Sequence, residues 1–204
     1  MIITVASFKG GVGKTTTAIH IAAFIAKRRG AGRVVLGDGD LNRSALSWYE
    51  RGGDRIPFVV TDGDAVPDDY QHLIIDTPAR PKDDELIALA MNSDLLIIPT
   101  TPAPFSLEAT LATLSRLTAL PEDRYRVLLT RVPPRTSKRG ERARDVLINS
   151  GIPVFNGAIQ TRTIFEDAEL EGVPVYALKG TVAQDAWSDY ETIGCEIWKE
   201  WGKS

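Results

Sequence analysis

One cysteine, Cys195, in 204 residues leaves nothing with which to form an intramolecular disulfide. Set among apolar residues of an expected helix, it reads as a small buried side chain. Histidine is nearly as scarce. His20 and His72 stand apart, one in an expected helix and one at the start of an expected strand, and neither has the neighbours of a metal site or a catalytic base. No run of about 18 apolar residues exists, so a membrane-spanning helix is not expected. The N-terminus lacks a basic stretch followed by an apolar segment and a small-residue cleavage site, which places the expected protein in a reducing cytosol. Charge of one sign is also lacking: a net charge of -3 excludes a uniformly basic nucleic-acid binder and leaves only local patches.

What is present is an ordinary globular composition, 43% apolar and 25% charged, enough for a sizeable core in one domain spanning residues 1–204. Short apolar β-branched runs read as strands at 1–6, 34–37, 59–60, 72–76, 95–99 and 125–130, with a last short one at Val154 and Phe155. Helical spacing predicts helices over 15–29, 42–51, 82–92, 106–117, about 138–149, and 182–201; Asn42 or Ser44 is the expected cap of the second. Strands that alternate with helices, several apolar throughout, predict an α/β fold with a doubly wound, mostly parallel sheet covered on both faces. Ligands of such sheets bind beyond the carboxyl ends of the strands.

A glycine-rich turn, Lys9-Gly10-Gly11-Val12-Gly13-Lys14-Thr15-Thr16, joins the first strand to the first helix. Gly10, Gly11 and Gly13, with Val12 between them, let the backbone turn tightly and aim N–H groups at phosphate oxygens, and the helix behind adds its positive end. Lys14 is suited to the β and γ phosphates of ATP, Thr15 to magnesium, and Thr16 to the α phosphate. Asp76, ending an apolar strand, is the expected outer carboxylate of Mg2+, acting through a bound water. Asp38 and Asp40 follow the second strand, beside the loop if the strands are neighbours; the plainer alternative is that they only form a turn.

The strict phosphate-loop pattern has glycine where this chain has Phe8, and Lys9 follows instead. This variant resembles the deviant Walker A box of the ParA/MinD ATPases, as do Asp38 to Ser44, Ile74 to Pro78, Ile97 to Pro104 and Leu129 to Arg131. Because the chain begins directly at its first strand, it is similar to small ParA proteins of the plasmid-partition or McdA-like carboxysome-positioning type. The resemblance implies that Lys9 reaches the ATP of a second subunit, that Asp40 orients the attacking water, and that Asp38 supports the metal shell. It also places Thr130 and Arg131 against the adenine. It implies a slow ATPase that dimerises on ATP, binds nucleoid DNA non-specifically, and is stimulated by a ParB-like or McdB-like adaptor. The loop here reads Asp38-Gly39-Asp40-Leu41-Asn42, whereas the family text has Pro-Gln after the second acid.

Between Arg124 and Arg144 stand eight basic residues, Arg124, Arg126, Arg131, Arg135, Lys138, Arg139, Arg142 and Arg144, against one acid, Glu141. They form a candidate DNA patch, or else a solvated helix face. Trp187, Tyr190, Ile193, Ile197, Trp198 and Trp201 recur at helical spacing near the C-terminus. Their acidic neighbours disfavour a MinD-like membrane helix and favour core packing or a dimer contact. Two other functions stay open: a membrane-associated positioning ATPase, and a metabolic enzyme that binds a small acid or amine near residues 100–105.

Overall fold

The computed structural model describes residues 1–79, 81–115, 121–134 and 136–202. Six strands, β1 (Ile2–Ser7), β2 (Val34–Asp38), β3 (Val59–Asp62), β4 (His72–Ala79), β5 (Leu95–Thr100) and β6 (Tyr125–Leu129), form one sheet in the order β3-β2-β4-β1-β5-β6. Every pairing is parallel. The helices are α1 (Lys14–Ala26), α2 (Ser44–Gly52), α3 (Asp83–Met91), α4 (Pro104–Leu114), α5 (Arg139–Asn149), α6 (Ile164–Glu171) and α7 (Thr181–Trp201).

Alternate residues of each strand feed two cores. Ile3, Val5, Leu95, Ile97 and Leu128 pack with α1, α2, α6 and α7 on one face. Ala6, Leu96, Ile98, Val127 and Leu129 pack with α3, α4 and α5 on the other. A strand covered on both sides has no polar face to show, which is why these segments read as unbroken apolar runs. The register sets Asp76 of β4 opposite both Asp38 of β2 and Val5 of β1, so two acids and the entrance to the glycine turn lie at one edge.

Several expectations shift. The helix expected from Ser106 starts at Pro104, where proline's fixed φ suits a first helical position; its expected end at 116–117 lies outside the described residues. Val154 and Phe155 do not form a strand. Val154 makes only an isolated bridge to Val127, and the Phe155 N–H donates to the Val127 carbonyl at 3.0 Å. Cys195 is exposed rather than buried. On α7 the inward stripe is Ala183, Ala186, Trp187, Tyr190, Ile193, Gly194 and Ile197, and Cys195 falls on the opposite face of the turn. Of the expected aromatic set, Trp187, Tyr190, Ile193 and Ile197 are buried in the core and Trp198 and Trp201 pack against it half-buried, with Gly194 pressed so closely on Phe24 that a Cβ would come within 2.4 Å of its ring.

Candidate functional site

The turn after β1 is built for an anion. Gly11 and Gly13 hold φ of 74° and 88°, left-handed values that a side chain resists, and a Cβ on Gly10, Gly11 or Gly13 would meet nothing within 4 Å. Crowding therefore does not select glycine there; backbone shape does. Lys14, Thr15 and Thr16 form the first turn of α1, whose N–H groups have no earlier helical carbonyl to bond, and Lys14 is largely buried beneath the loop. Val12, also buried, gives its carbonyl to the Thr130 hydroxyl at 2.8 Å, and the same hydroxyl contacts the Thr100 carbonyl at 3.1 Å. Thr130 thus ties the loop to the ends of β5 and β6.

Asp76 is fully buried at the end of β4. Its Oδ2 accepts the Thr15 hydroxyl at 2.6 Å, while its Oδ1 has no hydrogen-bond partner among the described residues. Burial drives its pKa up to about 7; the Thr15 bond and Lys14 oppose that rise, and the charges of Asp38 and Asp40 add to it. An orphaned buried carboxylate oxygen beside a loop threonine fits Mg2+ carried in by phosphates, which asks the protein for one hydroxyl and an outer carboxylate. Among the described residues no cluster of three or more His, Cys, Asp or Glu is arranged to cage a metal without a ligand.

Asp38 holds both the acidic loop and the start of α2. Its Oδ1 accepts the Asp40 N–H at 3.1 Å and its Oδ2 the Leu46 N–H at 3.0 Å, in the first turn of α2. The expected caps, Asn42 and Ser44, do not cap that helix: Arg43 occupies the capping position in a left-handed conformation, φ 50°, with no side-chain cap bond. The donor that needed an acceptor found it eight residues back. Asp40 is half-buried, and its Oδ1 accepts both the backbone and side-chain N–H of Asn42 at 3.0 Å. The Asn42 that departs from the family text therefore fixes Asp40 through one oxygen. The other oxygen has no partner among the described residues. The turn is thus built from the same acids as the candidate site.

Lys9 is exposed, and its Nζ donates to the Ser106 hydroxyl of α4 at 3.3 Å. Beside the loop, on the side of α6, lies a cleft of about 160 Å3 lined by Gly13, Thr16, Arg131, Phe165, Glu166 and Tyr190. Arg131 has φ 49°, and it and Arg43 are the only described non-glycine residues in the left-handed region, both at this edge. The hydroxyl of Thr130 is already engaged by the loop, so of the two expected adenine neighbours Arg131 is the one that borders the cleft through an exposed side chain. Phe165, Glu166 and Tyr190 were not singled out from the sequence as cleft residues, since only the folding of α6 and α7 against α1 brings them there.

His20 sits one turn beyond Thr16 and is fully buried. Its Nδ1 contacts the Thr16 carbonyl at 2.7 Å, its Nε2 accepts the Val175 N–H at 3.1 Å, and its ring stacks on Tyr190 at 4.5 Å. Those partners fix the proton on Nδ1, and burial lowers the pKa to about 4, so the ring is a neutral structural group.

Three described cations of the basic run are engaged within the protein. Arg124 donates to the Ser93 carbonyl, Arg126 pairs with Glu200 at 2.6 Å, and Arg144 donates to the carbonyls of Phe155 and Gly157. Arg124 and Arg126 lie at the start of β6, the end of the sheet away from the loop. Arg135 lies outside the described residues. The cations left exposed are Arg131, Lys138, Arg139 and Arg142, which border the beginning of α5; Arg131, Arg139 and Arg142 line a groove of about 640 Å3 that runs to Thr101 and Pro104.

Residues 3–175 match the family model described as the CobQ/CobB/MinD/ParA nucleotide binding domain. The chain is 34% identical over 211 residues to maintenance of carboxysome distribution protein A of Gloeobacter kilaueensis, covering 99% of this chain and 96% of that protein. Among solved structures it is similar to the MinC:MinD cell division protein complex of Aquifex aeolicus, with a TM-score of 0.73 at 20% identity over 100% of this chain and 96% of that one. It is also similar to a variant of Cyanothece McdA in complex with ATP, TM-score 0.68 at 15% identity, again over 100% and 96%. At such identities the two structures speak for the fold.

Proposed function

The chain belongs to the CobQ/CobB/MinD/ParA nucleotide-binding family, and from that premise we propose that it is a Mg-ATP-dependent ATPase switch that positions a protein compartment of the carboxysome kind. The observation that carries the ATPase reading is the Thr15–Asp76 hydrogen bond at the lip of the glycine loop, with the second Asp76 oxygen left open. The compartment as cargo rests on the full-length likeness to the Gloeobacter protein.

In this reading Lys14 and the first-turn N–H groups of α1 hold the phosphates, and Thr15 with Asp76 holds Mg2+. The metal, when bound, neutralises charge on the transferring phosphoryl group. Asp40 aligns the attacking water with the oxygen that has no partner among the described residues, Asp38 fixes Asp40 and α2, and Lys9 serves the nucleotide of a second copy. Arg131 flanks the base. An aspartate is a weak base at neutral pH, so Asp40 positions water rather than abstracting a proton strongly, and turnover is slow until an adaptor protein stimulates it. The ATP-bound dimer holds nucleoid DNA through phosphate contacts, to which the exposed Arg131, Lys138, Arg139 and Arg142 of the basic run contribute. A membrane role is disfavoured by α7: its apolar stripe is spent on the core, and no described helix is long and apolar enough to cross a bilayer.

The test is Asp40→Ala, read by phosphate release and by sedimentation with ATP and magnesium. The expected result is a persistent ATP-bound dimer with hydrolysis lost. Hydrolysis at the parent rate removes Asp40 from the water-positioning role.

A further inference from the structure

The carboxyl end of β5 and the first turns of α4 carry a buried group of hydroxyls. The Thr110 hydroxyl donates to Thr100 Oγ1 at 3.0 Å and contacts the Ser106 carbonyl at 2.9 Å, and the Thr101 hydroxyl donates to Ser106 Oγ at 2.9 Å. Ser106 and Thr100 are each about 1% exposed and Thr110 about 3%. Hydroxyls this deep keep a fixed orientation because each must find a partner within the protein. The Ser106 hydroxyl has one further contact, and it leads outward to Lys9 Nζ.

Lys9 itself is fixed at its root. Its carbonyl accepts the Ser7 hydroxyl at 2.9 Å, and Ser7 is buried. Its side chain makes no ion pair among the described residues, and Ser106 is the one described hydrogen-bond partner of its ammonium group. An ammonium group has three donors and is strongly hydrated, so a single neutral acceptor holds it weakly and reversibly.

We propose that Ser106 is a positioning residue, an intramolecular rest that keeps Lys9 turned onto its own α4 until a second subunit offers a phosphate. This deepens the reading of a nucleotide shared between two chains and rests on it. Each subunit must release one such contact when the dimer forms, so the rest raises the dissociation constant of the ATP-bound dimer twice over. A loss of about threefold per site, modest for a hydrogen bond to a charged group, compounds to about ninefold in the dimer.

The experiment is a double-mutant cycle on the full chain, with the non-hydrolysable analogue AMPPNP and magnesium as ligand. The dimer dissociation constant is read by sedimentation, and monomer affinity for a fluorescent ATP analogue is read in parallel. Ser106→Ala is expected to tighten the dimer about ninefold, Ser106→Thr, which keeps the hydroxyl, to restore parent behaviour, and Ser106→Ala in a Lys9→Ala background to have no effect on association. Monomer affinity stays at the parent value in Ser106→Ala and Ser106→Thr. An unchanged dimer constant in Ser106→Ala, or the same tightening with and without Lys9, overturns the proposal. Failure of the parent to bind the analogue at all would instead overturn the nucleotide reading beneath it.

Discussion

Asp38 and Leu46 are eight residues apart in sequence and joined in space, the Asp38 carboxylate accepting the Leu46 N–H at 3.0 Å and so capping α2 from the end of the neighbouring strand. The helix after the acidic loop therefore has its first turn held by a member of the candidate site.

Removing that carboxylate should cost stability as well as function. Asp38→Ala leaves the N–H groups of both Leu46 and Asp40 without acceptors and should destabilise the fold by about 2 kcal/mol; Asp38→Asn, which keeps one acceptor oxygen, should cost roughly half of that. Urea midpoints give the values, and amide exchange in α2 localises the loss. A midpoint for Asp38→Ala equal to the parent's rules out the cap.

The acids and bases of the core oppose one another in their pH dependence. His20 is lowered to about 4 by burial, so between pH 6.5 and 4 the unfolded chain takes up a proton that the folded one refuses, and stability falls as pH falls. Asp76 is raised to about 7, so over much of the same window the folded chain holds the extra proton and stability rises as pH falls. The parent should change little from these two groups. Asp76→Asn should expose the His20 effect, losing about 3 kcal/mol from pH 6.5 to pH 4 relative to the parent. Parallel stability curves for the two proteins would contradict this.

Magnesium and a proton should compete at Asp76. With a pKa of about 7 in the ligand-free protein, binding of the Mg-nucleotide at pH 7 should release about half a proton from this carboxyl, more at pH 6 and less at pH 8, and affinity should strengthen as pH rises through that range. Calorimetry in two buffers of different ionisation enthalpy measures the release; Asp76→Asn should abolish this part of it.

Gly52 and Gly172 let α2 and α6 meet backbone to backbone. A Cβ on Gly52 would stand 2.0 Å from the Gly172 carbonyl oxygen, and Gly52 has an ordinary φ of -81°, so Gly52→Ala is penalised by collision alone, by about 2 kcal/mol or more. Its neighbour supplies the contrast: Gly53 has open space around it but φ +54°, so Gly53→Ala should cost only about 1 kcal/mol. Thermal midpoints in the opposite order would refute the contact.

The glycine loop, the central strands and the three acids were legible in the sequence because their signals are local: a strand, a turn and a helix start lie within a few residues of one another. Ser106 was not, since nothing near it marks it as the seat of a lysine 97 positions earlier. The α2 cap was misplaced for the same reason: proximity in sequence favoured Asn42 and Ser44, and the sheet supplied Asp38. The basic run shows the converse: eight cations stand close in sequence, whereas three of them are engaged by carbonyls or by Glu200, and two of those three lie at the far end of β6. Spacing along a chain says which residues are near in sequence, and says nothing of which are already occupied.

The bond from the Thr130 hydroxyl to Val12 joins the middle of the loop to the rim of the sheet through groups of the protein alone. The conformational entropy lost in ordering that turn is therefore charged to folding and not to each encounter with ligand. A receptor preorganised in this way captures its ligand without a search through loop shapes, so its association rate should follow diffusion and charge, and its specificity should reside in how slowly the nucleotide leaves.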